Sequence, residues 1–241
     1  MADPMVSVVV PARNEERLLP AALRSIEAQT LDPALVEAVV VSNGSTDATV
    51  AVVEREAARI HTAGGPRVTV VDEAAPGIAR AKNVGVRHAR GRLLVFMDAD
   101  SWMSPELLSR MHARAQGGER AASIRIIADG GDPVDRAFFW VIEHGKRLVR
   151  TRANMFWCER ALFDALDGFD EALHHAEDLD LLVRAKRAGV QVGHIHDEWI
   201  ATSARRLHRG PLRAGMFAML GRWVLGHVGI GRHWPYSGGG P

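Results

Sequence analysis

Through the first hundred residues, short apolar runs alternate with stretches of helical periodicity. Val6–Val10 is rich in β-branched residues and predicts a strand. Leu18, Leu19, Ala22, Leu23 and Ile26 then recur at helical spacing within Glu15–Gln29. Ala38–Val41, Val68–Val71 and Leu93–Met97 are further strands, separated by helices over Ala48–Ile60 and Ile78–Ala89. Ser45, Thr46 and Asp47 are available to cap the first of these two helices. Strands apolar on both faces and joined by helices predict an α/β fold with a parallel sheet covered on both sides.

The second half is less regular. Helices are expected over Pro105–Ala115, with Ser104 as cap, over Pro133–Val149, and over Glu177–Arg187, ended by Gly189. Ser123–Ala128 and Val190–Ile195 predict strands, Pro211–Val228 a final helix, and the residues from Ser237 a loose tail. Neither a repeat nor a long linker is visible. The expectation is one unit over 1–241, with halves 1–116 and 117–241.

Composition narrows the function. The chain has 241 residues and a net charge of +1, without the basic excess of a dedicated nucleic-acid binder. Cys158 is the only cysteine, so no intrachain disulfide forms. The apolar run Met5–Val10 is too short for a signal segment, and Arg213, Arg222 and His227 interrupt the longest apolar stretch, Leu212–Ile230. A cytoplasmic protein is expected.

The phosphate-binding glycine motifs are missing. The loop after the first strand, Pro11-Ala12-Arg13-Asn14-Glu15, holds no glycine, which argues against a dinucleotide oxidoreductase. A P-loop and a G-x-S-x-G elbow are absent as well.

Polar clusters instead follow the strands. Pro11, Arg13, Asn14 and Glu15 can hold a base or ribose, or simply form a turn capped by Asn14. Ser42-Asn43-Gly44-Ser45-Thr46-Asp47 on its own is a turn and a helix cap. Asp98-Ala99-Asp100 puts two carboxylates at a strand end, which is costly unless a partner such as a hard divalent cation neutralises them. Glu177-Asp178-Leu179-Asp180 opens a helix with three acids. Favourable interaction with the helix dipole, about 0.3–1 kcal/mol each, accounts for one or two of them; a carboxylate base is the alternative.

Taken in order, these pieces resemble a family 2 glycosyltransferase of the GT-A fold, short and non-processive. Val6–Glu15 resembles the family's opening strand and P-x-x-N-E loop, and Val39–Asp47 its V-D-D-G-S-T-D segment. Gly77–Gly85 resembles its G-x-x-x-A-R-N-x-G helix, and Asp98-Ala99-Asp100 its D-x-D. Ala153–Arg160 with Gly168-Phe169-Asp170 resembles its acceptor segment, and Glu177-Asp178 its E-D pair.

The resemblance implies a Rossmann-like, mostly parallel sheet flanked by helices, with 1–116 holding a nucleoside-diphosphate sugar and 117–241 the acceptor and base. It implies nucleoside contacts from Pro11, Arg13, Asn14 and Glu15, and from the positions of Ser42 and Asn43. Asp98, beside Ala99, would face the ribose or donor sugar, and Asp100 would hold Mn²⁺ or Mg²⁺. Asp178 would be the base, with Glu177 its rival or its orienting neighbour. Arg80 and Lys82 would meet a diphosphate or stabilise the sheet edge. The reaction implied is inverting transfer of one sugar to an acceptor hydroxyl.

Two departures matter. Ser42 and Asn43 stand where the family carries acids, which puts a UDP donor in doubt and adds weight to GDP or another nucleotide. Met219 stands where processive members carry glutamine before Arg222 and Trp223, so single addition is expected.

In the tail, Arg205 and Arg206 lie in a Thr202–Arg209 segment that resembles short members of the family. They can fold over a diphosphate or form a solvated surface run. The helix carrying Met216, Phe217, Leu220, Trp223 and Val224 is core, or it touches a membrane near a lipid-linked acceptor, giving a peripheral location through 211–230. His196 is a candidate additional ligand of an Asp100-bound metal. Two other classes stay open at this stage: a nucleotide-sugar-binding protein without turnover, and a sugar nucleotidyltransferase.

Overall fold

The computed structural model describes residues 4–148, 155–208 and 214–227. The opening strands form as the pattern predicts and run slightly longer. They are β1 (Val6–Ala12), β2 (Val36–Asn43), β3 (Arg67–Glu73) and β4 (Leu93–Phe96). All four are parallel, in the order β3-β2-β1-β4. Helices α1 (Leu19–Glu27), α2 (Thr49–Thr62) and α3 (Ile78–His88) connect them.

The sheet then continues through β7 (Phe156–Glu159), β6 (Ala121–Ala128), β8 (Gly193–Thr202) and β5 (Ser101–Met103). β6 and β8 are parallel to each other, whereas β7 and β5 run antiparallel to their neighbours. The remaining helices are α4 (Leu107–Gln116), α5 (Pro133–Leu148), α6 (Arg160–Ala165), α7 (Glu177–Arg187) and α8 (Ala214–His227).

Alternation along β1 shows how the sheet divides its core. Val6, Val8 and Val10 join the apolar cluster beneath α1, α2 and α4, while Val9 joins the opposite cluster under α3, α6 and α7. In the second cluster the Phe96 ring lies 5.0 Å from Phe156 and 4.9 Å from Phe169. A smaller cluster joins β6, α5 and the residues after β8 through Ile126, Phe138, Phe139, Ile142, Ala204 and Leu207.

Several expectations need correcting. β5, β7 and α6 have no counterpart in the sequence reading. β8 begins three residues later than expected and runs on to Thr202. It does so because a bulge between Ile195 and Trp199 restores pairing with β6 beyond the polar run. The Ser104 side chain does not cap α4; its hydroxyl donates to the Trp199 carbonyl and ties the start of α4 to β8. Asp47 does serve α2, accepting from the Thr49 amide at 3.0 Å. The Ala153–Asn154 step and the tail from Ser237 lie outside the described residues, as do the side chains of Arg222, Trp223 and Val224.

Candidate active site

Parallel strands deliver their carboxyl ends to one edge. Ala12 pairs with Ser42 across β1 and β2, and Val9 pairs with Phe96 across β1 and β4. The loops beginning near Pro11, Ser42 and Asp98 therefore emerge side by side, in the crevice where open α/β sheets bind ligands. The first two bring buried polar atoms that lack a partner. Glu15 Oε2 and Ser42 Oγ are both enclosed without a hydrogen bond. Such atoms cost free energy unless a ligand or water satisfies them.

α3 and α7 bring the acids and their cation together. Gly85 lets α3 lie close on the sheet: a Cβ there would stand 2.4 Å from Val9 Cγ1. One turn earlier, Lys82 is 3% exposed, with its Nζ 2.6 Å from Asp178 Oδ1 and 2.7 Å from Glu177 Oε1. Ala176, immediately before α7, has φ +59°, a left-handed conformation that is strained for alanine.

Burial pushes the Asp178 carboxyl up to about 7, with Lys82 pulling it down and Glu177 pushing it up. Burial, and after it the neighbouring Asp100, also raise Asp98, against the pull of Lys82 and Arg206. Burial alone would lower Lys82, but Asp178 and Glu177 overcome it and hold the ammonium well above its ordinary value.

Asp100 is 3% exposed and draws two guanidiniums. Arg205 Nη2 lies 3.2 Å and Arg206 Nη2 3.4 Å from its Oδ2. Arg205 also donates to Glu15 Oε1, bridging the loop after β1 to the acids after β4. The segment is held in place by the Ser203 amide, which donates to the Asp100 carbonyl at 2.9 Å. Burial raises Glu15, and the hydrogen bond from Arg205 works against that rise. These residues fit a divalent cation: two adjacent carboxylates already concentrate positive charge at Asp100, and hard carboxylate oxygens suit Mn²⁺ or Mg²⁺.

The other expected residues fall into separate places. Pro11 and Ala99 are buried backbone neighbours of the site, and Arg13 is exposed beside it. Asn14 is bound to the β2 loop, its Oδ1 accepting from the Thr46 amide at 2.8 Å. Asn43 accepts from the Gly77 amide, which fixes the entry to α3. Arg80 points toward Glu73 and Glu171, at 3.5 and 3.7 Å.

His196 is not brought to Asp100. It sits exposed in the β8 bulge, edge-on to the His194 ring, six residues before the Thr202–Ser203 step that meets Asp100. Among the described residues, the metal-type side chains that do converge are Asp132, Asp135 and His208, with His208 Nε2 2.8 Å from Asp135 Oδ2.

Sequence reasoning missed the part played by Asn83. Its side chain accepts from the Phe169 amide and donates to the Phe169 carbonyl, locking the Gly168–Asp170 turn onto α3. The signal for this was the asparagine within Ala81-Lys82-Asn83.

With this geometry in place, the likeness to known proteins is specific. A family model described as glycosyl transferase family 2 matches residues 7–165, and the chain belongs to that family. The uncharacterized glycosyltransferase Rv0539 of Mycobacterium tuberculosis is 30% identical over 239 residues, spanning 93% of this chain and 99% of that protein. Chondroitin synthase of Escherichia coli is 24% identical over 194 residues, covering 77% of this chain and 27% of the synthase. The chain spans about a third of the length of several curated relatives it matches.

Among solved structures, S. aureus TarS 1-349 in complex with UDP superposes with a TM-score of 0.69 at 21% identity, covering 95% of this chain and 73% of that one. Mannosyltransferase PcManGT from Pyrobaculum calidifontis, in complex with GDP-Man and Mn²⁺, gives 0.67 at 25% identity, covering 92% and 65%. The fold is that of the GT-A glycosyltransferases.

Proposed function

We propose that this chain is an inverting, metal-dependent glycosyltransferase that moves a single sugar from a nucleoside-diphosphate donor to an acceptor hydroxyl. One observation carries the reading. Two acid clusters each hold a cation: Lys82 lies 2.7 and 2.6 Å from Glu177 and Asp178, and Arg205 and Arg206 lie 3.2 and 3.4 Å from Asp100, which follows β4 at the sheet edge. The donor half is 1–116 and the acceptor half 117–241.

The residues divide the work as follows. The Pro11–Glu15 loop and Ser42 line the nucleoside end, where Glu15 Oε2 and Ser42 Oγ lack partners. Asp98 faces the donor sugar. Arg205 and Arg206 are guanidiniums within reach of phosphate, and Arg80 stands at the rim. Asp100 would hold a Mn²⁺ or Mg²⁺ ion, which would supply charge neutralisation for the departing diphosphate. The acceptor oxygen attacks the anomeric carbon while the bond to the diphosphate oxygen breaks, and the acceptor proton passes to the Asp178 carboxylate.

The acceptor is lipid-linked in this reading, and the chain touches the membrane peripherally. Val134, Trp140 and Val141 on α5, with Phe217 and Leu220 on α8, are large apolar side chains left exposed. No described helix is long and apolar enough to cross a membrane.

The test is thermal denaturation with UDP and GDP, and with UDP-GlcNAc and GDP-mannose, in Mn²⁺ or chelator. One nucleotide at about 100 Kd should add about 2.7 kcal/mol of stability, dependent on the ion. Asp100→Ala should lose the ion dependence and the transfer. A chain that responds to no nucleotide is not the transferase proposed.

A further inference from the structure

Lys82 has its charge fully engaged. Two of its N–H directions go to Asp178 and Glu177, and its Nζ stands 5.2 Å from the centre of the Phe169 ring. Reaching a diphosphate would mean breaking two buried charge pairs, each costly to leave half-made. Lys82 is nevertheless in the right place for another task. It grips Oδ1 of Asp178, whose side chain keeps 18% exposure.

We propose that Lys82 is a positioning residue for the base: it fixes the Asp178 carboxylate toward the acceptor and favours its ionised form beside Glu177. The inference rests on the assignment of Asp178 as base. The charged groups facing that carboxylate are Lys82 from α3, Glu177 from α7 and Asp98 from the end of β4. Two of these three are acids that favour the protonated form, and Lys82 is the cation that opposes them. A cation within ~4–6 Å lowers a carboxylate pKa by about 1–3 units, and that hold disappears with the ammonium. Asn83, the next residue, locks the turn bearing Phe169 onto α3, so the lysine is set against a rigid wall.

The test is carboxyl ¹³C NMR titration of Asp178, assigned by Asp178→Asn, in the full chain and in Lys82→Met and Lys82→Arg. Thermal denaturation with UDP or GDP plus Mn²⁺ runs in parallel. Lys82→Met should raise the Asp178 midpoint by about 1–3 pH units, and Lys82→Arg should restore it. Both variants should keep the nucleotide-induced stabilisation.

An unchanged midpoint in Lys82→Met overturns the proposal. So does loss of nucleotide stabilisation in the variants, because Lys82 would then be a donor ligand. If Lys82→Met does not fold, Lys82→Gln replaces it: with the cation gone, the Asp178 midpoint should again rise, and a fixed midpoint overturns the proposal. A wild-type chain that answers to neither nucleotide removes the transferase reading, while the titration still decides whether Lys82 holds Asp178.

Discussion

Asp178 combines two properties that a general base needs. It is buried enough for its pKa to move, and open enough for a hydroxyl to reach it. Acting as base requires the ionised form, so turnover should rise with pH through about 7 and level off above it. A turnover profile flat between pH 5 and 8 counts against Asp178. Asp178→Asn should cost on the order of 10²–10⁴-fold in rate while leaving nucleotide-induced stabilisation in place.

The same group makes a prediction about stability, with the opposite sense. Its folded pKa of about 7 exceeds the ordinary 3.8, so between these values the folded chain keeps a proton that the unfolded chain has released. The contribution of Asp178 to stability therefore falls as pH rises through that window. Asp178→Asn should flatten that part of the stability curve in denaturant titrations; an unchanged slope would mean that the carboxyl is not raised.

At this scale the acids were legible in the sequence, because consecutive carboxylates after an apolar strand or at a helix start are conspicuous. Their partners were not. Lys82 and Asp178 are 96 residues apart, and Arg205 and Asp100 are 105 apart, so the pairings exist only once the sheet has formed.

Among the elements, α3 is the one whose placement the site depends on. It carries Lys82 and Asn83 on one side and rests on β1 and β2 through Gly85. A Cβ at Gly85 meets Val9 at 2.4 Å and Val41 at 3.2 Å, so the helix must lift or the valines must move. Gly85→Val should destabilise the fold by about 1–3 kcal/mol or more, read as a lower denaturation midpoint. It should also weaken the Lys82–Asp178 grip, because the ammonium moves with the helix. A variant as stable as the wild type would show that the contact yields freely.

The β1–β4 layer with its helices was legible because buried parallel strands read as continuous apolar runs. The rest escaped for physical reasons. β5 has three residues and β7 four, too short for a period to register. β8 hides its second half behind the polar bulge at His196-Asp197-Glu198. Its reach to Thr202 is what carries Arg205 and Arg206 to Asp100, so missing the strand end meant missing how the arginines arrive.

Over the whole molecule, charge is evenly balanced in sum and uneven in place. After Glu198 the sequence holds no acidic residue, while Arg209, Arg213, Arg222 and Arg232 follow the two arginines held at Asp100. On the described part of this stretch Phe217 is 65% exposed, and on neighbouring α5 Trp140 is 60% exposed. A basic, acid-free segment beside exposed aromatics suits an anionic lipid surface, where each arginine contributes about 1 kcal/mol and apolar side chains enter the headgroup boundary.

Vesicles of mixed neutral and anionic phospholipid should therefore co-sediment with the chain, and raised salt should weaken the association. Phe217→Glu with Trp140→Glu should abolish binding while leaving nucleotide-induced stabilisation intact, since neither residue touches the sheet edge where Asp100 and Asp178 lie. Equal binding to purely neutral vesicles would remove the electrostatic half of the argument. No binding to either kind would leave these two helices facing water, and the acceptor would then have to be a hydroxyl compound delivered from solution.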